Sequence, residues 1–203
     1  MVESREPCPD VFAPLGTTMD EATVHERPGV RVMMRDSAEA IAHEARMRGV
    51  TWAWVEGFSE AGKSTFAYRL AHAMGWQTVM SLDNMALEMG KQPPDSPRYA
   101  DHLDRDRILA VINSGVPLVV EGVCLRDAVE GMRADATLRI YIARVSRPGT
   151  GALIWHDAVE MEEPARARDN WLVRDVFDYH RRVQPHASSE FVLVRIEDDV
   201  ALR

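Results

Sequence analysis

The sequence predicts an α/β fold, with a mainly parallel sheet of about five strands and helices on both faces. Strand-like and helix-like segments alternate from Asp36 onward, the pattern that crossover connections produce. The strand-like segments are nearly continuous in apolar character, as strands covered on both sides are. Hydrophobic residues make up 46% of the 203 and charged residues 28%, which is apolar enough to fill such a core.

Each element follows from local chemistry. Pro7, Pro9, Pro14, Pro28, Gly16 and Gly29 interrupt every short apolar stretch of residues 1–35. That predicts a loosely ordered extension ahead of a domain over 36–203, a partner-binding arm being the other reading. Asp36 or Ser37 can cap a helix through Ala38–Arg48, with Gly49 as its stop. Thr51–Glu56 is rich in β-formers and reads as the first strand. Gly57–Gly62 follows as a turn. Ser64–Met74 is a helix, with Phe66, Leu70 and Met74 on one face and Gly75 at its end. Trp76–Leu82 is the second strand, closing at Asp83. Pro93, Pro94 and Pro97 then force a loop. Tyr99–Ser114 returns to helix, with Leu103, Leu109 and Ile112 inward. Pro117–Glu121 and Leu138–Ala143 are the next strands, with Leu125–Met132 as a short helix between them. Two helices, Gly151–Glu162 and Ala165–Arg182, break at Pro164, and Phe191–Ile196 is the last strand.

The bulk properties exclude several function classes. The formal net charge of -8 argues against broad nucleic-acid binding, which needs Lys and Arg to neutralise phosphates. No apolar run is long enough to span a bilayer, and Met1–Pro9 lacks the apolar stretch of a signal peptide. A cytoplasmic protein with no membrane partner is expected. The two cysteines, Cys8 and Cys124, lack Cys-x-x-Cys spacing, so neither a disulfide framework nor a zinc site is predicted. Cys124 reads as a small buried hydrophobe.

One motif carries chemistry. Gly57-Phe58-Ser59-Glu60-Ala61-Gly62-Lys63-Ser64 fits G-x-x-x-x-G-K-[ST], with Thr65 following, and lies between a strand and a helix. The glycines bring backbone N–H groups close to phosphate oxygens, and Lys63 reaches the β- and γ-phosphates. Ser64 offers its hydroxyl to Mg²⁺, and the helix directs its positive end at the anion. Glu60 is the odd member, because a carboxylate there repels phosphate unless it points outward. Asp83 and Glu121 each stand just past the carboxyl end of a strand, where ligands gather on open α/β sheets. Phosphoryl transfer needs a group that orients or deprotonates the attacking hydroxyl and a group that holds Mg²⁺. Two convergent carboxylates meet that need, whereas a helix cap or a surface turn is the plainer role for each.

These residues resemble the P-loop small-molecule kinases, in particular uridine kinase and its nucleoside-kinase relatives. Beyond the Walker A loop, the resemblance lies in Ser81-Leu82-Asp83-Asn84, in Val119-Val120-Glu121-Gly122, and in Tyr179-His180-Arg181-Arg182-Val183-Gln184-Pro185 leading into Phe191–Ile196. It covers roughly residues 50–197 and implies a P-loop NTPase fold, with ATP and Mg²⁺ as cofactors. It also implies phosphorylation of an alcohol group, with Lys63, Asp83 and Glu121 catalytic, Asp83 being the base. Gly57, Phe58, Ser59, Glu60, Ala61, Gly62, Lys63, Ser64 and Thr65 would bind the nucleotide, and Ser64 and Glu121 the metal. The family's mobile lid carries arginines, and Gly149–Arg168 occupies that stretch. Arg144, Arg147, Arg166 and Arg168 are available there, but Glu160–Glu163 is acidic and the dense arginine pattern is missing. Arg166 and Arg168 are thus either lid residues on the acceptor or solvated arginines paired with nearby acids. The loop is also similar to that of adenylylsulfate kinases, which match less well downstream.

The acceptor is less legible. Arg98 and Tyr99 leave the proline loop and are the better substrate-binding candidates. Arg105 and Arg107 alternate with Asp101, Asp104 and Asp106, the look of a solvated, ion-paired face. His156 and His180 are isolated histidines, read as ordinary rather than catalytic. The leading expectation is an ATP-dependent kinase acting on a hydroxyl of a small metabolite, a nucleoside among the candidates. A P-loop ATPase or switch acting on a protein partner is the alternative, and a non-catalytic binding module a third. The Asn-Lys-x-Asp pattern of guanine-specific switches is missing. The partners are thus a nucleoside triphosphate and a small-molecule acceptor, and a homo-oligomer is compatible with this reading.

Overall fold

The computed structural model describes residues 25–27, 30–33, 38–87, 98–129, 137–147, 154–155 and 170–198. Its elements are β1 (His25–Arg27), β2 (Val30–Met33), α1 (Ala38–Met47), β3 (Trp52–Gly57), α2 (Lys63–Met74) and β4 (Thr78–Ser81). They continue through α3 (Arg105–Asn113), β5 (Leu118–Gly122), α4 (Leu125–Ala128), β6 (Thr137–Arg147), β7 (Ile154–Trp155), α5 (Trp171–Val183) and β8 (Phe191–Asp198). One sheet contains all the strands, in the order β1-β2-β8-β6-β3-β5-β4, with β7 beside β6. The strands expected from sequence are β3, β4, β5, β6 and β8, and they run parallel, side by side.

The parallel strands are apolar throughout because both of their faces are covered. Ala53 and Val55 pack with α1 and α2, whereas Trp54 packs with α3, α4 and α5. In β5, Val119 joins the first group and Leu118 and Val120 the second, the period of two that a pleated strand imposes. Helices on opposite faces therefore leave the neighbouring strands β3 and β5. That divergence is where an open α/β sheet leaves a crevice beyond its carboxyl ends. Register brings the relevant ends level: Val55 pairs with Glu121, and Glu121 with Ser81.

Four expectations need correction. Residues 1–35 are not wholly an extension, because β1 and β2 lie within them and β2 pairs in parallel with β8. The sheet is thus larger than about five strands, the edge strands being too short to register as apolar runs. The helix expected over Tyr99–Ser114 is two pieces. A 3₁₀ turn at Tyr99–His102 is followed by α3, which starts where the Asp104 carboxylate accepts the Arg107 N–H. The restart rotates the buried face, so Ile108 is inward with Ile112 while Leu109 is 36% exposed. Within the helix expected over Gly151–Glu162, Ile154–Trp155 is instead a strand pairing antiparallel with β6, and its other residues lie outside the described set. α5 begins at Trp171 because the Asn170 side chain accepts the N–H groups of Leu172 and Val173. Among the described residues, no helix is long and apolar enough to cross a membrane.

Candidate active site

The turn out of β3 is shaped by glycines. A Cβ at Gly57 would lie 2.4 Å from the backbone oxygen of Ile142 in β6, so no larger residue fits this step. Gly62 has φ 92 and ψ 19, a left-handed conformation that turns the loop into α2. Glu60 is also left-handed, with φ 65, and is exposed, as are Ser59, Ser64 and Thr65. Phe58 and Ala61 are buried, and the Phe58 ring meets Phe177 and His180 edge-on at 5.1 and 5.6 Å. No side chain caps α2, so its first-turn amides and positive end remain turned toward the loop.

Lys63 is only 8% exposed, and its Nζ donates to the Phe58 carbonyl at 2.8 Å. Burial pushes its pKa down, and Glu121, Asp83 and Glu56, in that order, pull it back up. Two of those acids, Glu121 and Asp83, stand at the ends of β5 and β4. Ser64 Oγ donates to Glu121 Oε1 at 3.0 Å, so the hydroxyl and the carboxylate expected on the metal are in contact. Gly122 follows Glu121 because a Cβ there would stand 2.9 Å from the Leu82 side chain. Asp83 is exposed in a 3₁₀ turn, Leu82–Met85, and accepts the Tyr99 hydroxyl at 2.9 Å. Lys63, Ser64, Asp83 and Glu121 therefore come together at one edge of the sheet.

The acceptor-side expectations fare differently. Tyr99, expected to bind substrate, is 2% exposed and its hydroxyl is used on Asp83. A ring that size is better buried than solvated, and its hydroxyl then needs an internal acceptor. Burial and the neighbouring Asp83 carboxylate push the phenol pKa up. Arg98 is exposed and lines a cleft of about 250 Å³ with Trp171, Arg174 and Asp175 on α5. Arg105 and Arg107 are exposed on the outer face of α3. Arg144 and Arg147 fall on β6, while Arg166, Arg168 and His156 lie outside the described residues.

Sequence reasoning missed a buried network directly beneath the loop. Glu56, 2% exposed, precedes Gly57 and accepts the Leu125 N–H at 2.9 Å and the Tyr179 hydroxyl. Arg126 Nε lies 3.4 Å from its other oxygen, and the same guanidinium donates to Pro185 O at 2.8 Å. Burial raises the Glu56 pKa, and Tyr179, Arg126 and the Leu125 amide oppose that rise. Sequence did contain a signal: Glu56 ends an apolar strand as Glu121 does, yet was read only as the strand's last residue. Asp175 was likewise missed. It accepts the Tyr99 N–H at 2.7 Å, with the buried Cys124 thiol at 4.0 Å. Buried His180 donates from Nδ1 to Val176 O at 2.7 Å and leaves Nε2 without a partner. Burial drops its pKa to about 4. No protein-family model matches the chain, and no curated protein matches it in sequence.

Proposed function

We propose that this chain is a P-loop phosphotransferase of the P-loop NTPase fold, akin to the uridine kinase-like enzymes. Its reaction is ATP-dependent phosphorylation of a hydroxyl on a small metabolite. The observation that carries this reading is the convergence of Lys63, Ser64, Glu121 and Asp83 on a glycine-formed turn at the sheet's carboxyl edge. The donor set suits a triphosphate: an uncapped helix N-terminus, a backbone turn closed to any Cβ at Gly57, and one buried ammonium.

Lys63, parked on a carbonyl oxygen, is the cation for the β- and γ-phosphates. Ser64 and Glu121 would hold magnesium. Among the described residues no group of three or more His, Cys, Asp or Glu forms a self-sufficient metal site. Magnesium nucleotide supplies the transferring phosphoryl group and the neutralisation of its oxygens. Asp83, its carboxylate oriented by the Tyr99 hydroxyl, takes the proton of the acceptor hydroxyl. Arg98 would face the acceptor.

The test is incubation of the protein with Mg·ATP and a panel of hydroxylated metabolites, with Lys63→Ala as control. A phosphorylated product, formed by the parent and lost in the variant, is expected. The variant should also lose nucleotide-dependent thermal stabilisation. A parent that binds no magnesium nucleotide removes the proposal entirely. One that binds ATP and leaves it intact with every acceptor removes the transfer step.

A further inference from the structure

α5 touches both halves of the site. Asp175 and Tyr179 are one turn apart, so they share a face of it. Tyr179 donates to Glu56, the residue before Gly57, and Phe177 and His180 pack on Phe58. Asp175 reaches the other half, where its Oδ2 accepts the Tyr99 N–H and the Tyr99 hydroxyl in turn holds Asp83. Asp83 needs such a hold, because it is exposed on a short turn with no side-chain cap. Tyr99 can supply it, being almost wholly buried and on a turn bonded to Asp83's own. Leu87 N–H donates to His102 O, and Asp104 N–H to Met85 O, each at 2.8 Å.

Resting on the phosphotransferase reading, we infer that Asp175 is a positioning residue. Through the Tyr99 amide it fixes the Tyr99 hydroxyl, and so sets where Asp83 stands relative to the loop at Gly57. The role requires an acceptor oxygen at that place and no charge. Asparagine can therefore fill it and alanine cannot. Misplacing a reacting group by an ångström lowers turnover by up to roughly 100-fold without weakening binding elsewhere.

The experiment compares Asp175→Ala, Asp175→Asn and Tyr99→Phe in the full chain by steady-state kinetics and by hydrogen exchange at the Tyr99 amide. Asp175→Ala and Tyr99→Phe should each lower kcat roughly 10- to 100-fold and leave KM for Mg·ATP within about threefold. The double variant should be no worse than either, because both break one chain of contacts. Asp175→Asn should keep near-parental kcat and amide protection, whereas Asp175→Ala loses that protection. Asp175→Leu, which offers no acceptor, serves instead where alanine prevents folding. Equal damage from Asp175→Asn and Asp175→Ala would overturn the inference, since charge would then matter. So would a lower Tm with unchanged kcat. Parental protein that binds Mg·ATP and phosphorylates nothing removes the phosphotransferase reading and the positioned base together. An active parent with an unaffected Asp175→Ala removes the positioning role alone.

Discussion

Replacing His180 with phenylalanine should flatten the acid side of the protein's stability profile. His180 is 0% exposed, and burial, with smaller help from His186 and Lys63 and against the Val176 hydrogen bond, lowers its pKa from 6.5 to about 4. Below pH 6.5 the unfolded chain takes up a proton on this imidazole, while the folded chain refuses it until about pH 4. The unfolded state binds more protons across that window, so stability rises with pH through it. The full contribution is present above pH 6.5 and is lost progressively toward pH 4. At about 1.4 kcal/mol per pKa unit, the lost stability is on the order of 3 kcal/mol. Denaturant unfolding of parent and His180→Phe at several pH values between about 7 and 4.5 measures it as the difference between two curves. Carboxylates titrate in both proteins and cancel in that difference. The Phe58, Tyr141 and Tyr179 rings that meet His180 edge-on remain available to phenylalanine. Parallel pH profiles for the two proteins would show that His180 is not held neutral, and the reasoning from burial would fail.

Gly57→Ala sets a methyl group 2.4 Å from the Ile142 backbone oxygen, in strands that pair and cannot part freely. A loss of about 1–3 kcal/mol and of nucleotide-dependent stabilisation is expected by thermal and denaturant unfolding; parental stability would contradict the close approach. Arg126→Ala strands Glu56 in the core and should cost roughly 3–5 kcal/mol near neutral pH, less in acid where Glu56 carries a proton. Pairing it with Glu56→Gln should recover most of the loss in the same unfolding assay, and a loss unchanged by that second replacement would place the damage elsewhere.

The parts of this fold that could be read from sequence are those with a local cause. β3, β4, β5, β6 and β8 are apolar runs between breakers, and Gly57–Lys63 is a spacing whose geometry needs no partner. Asp83 and Glu121 were legible because a carboxylate ending an apolar strand has few places to go except a polar site. The same logic applies to Glu56, whose signal is masked by the glycine motif that adjoins it. What stayed hidden depends on contacts between distant segments. Tyr99 looks like a loop aromatic until Asp83 and Asp175 are found around it, 16 and 76 residues away in sequence. The edge strands β1 and β2 carry too few residues to show a period, and only the pairing of β2 with β8 and of β1 with β2 defines them.

The arrangement also explains how two acids, Glu56 and Glu121, come to be buried beside the loop. Glu56 and Glu121 each take hydrogen bonds, and both oppose the burial penalty on Lys63. A lone ammonium at that depth would be driven toward its neutral form, which is useless to a phosphate. Acids at two levels, one below the loop and one at its mouth, offset that drift while Phe58 O holds Nζ in place. Glu56 is tied to Arg126 and Tyr179, so it cannot swing up to take Lys63 away from an incoming anion. Glu121, bonded to Ser64 beside the loop, and Asp83, exposed at the rim and held by Tyr99, are placed to meet what binds there. On this view all three acids support the charge of the lysine, Glu56 least, and the shallow pair also meets the ligand, so Glu56→Gln should weaken nucleotide affinity modestly, and most at alkaline pH, where Lys63 loses its proton. Titration of Mg·ATP affinity from about pH 7 to pH 9.5 in parent and variant measures this, and a pH-independent ratio of the two affinities would refute the division of labour.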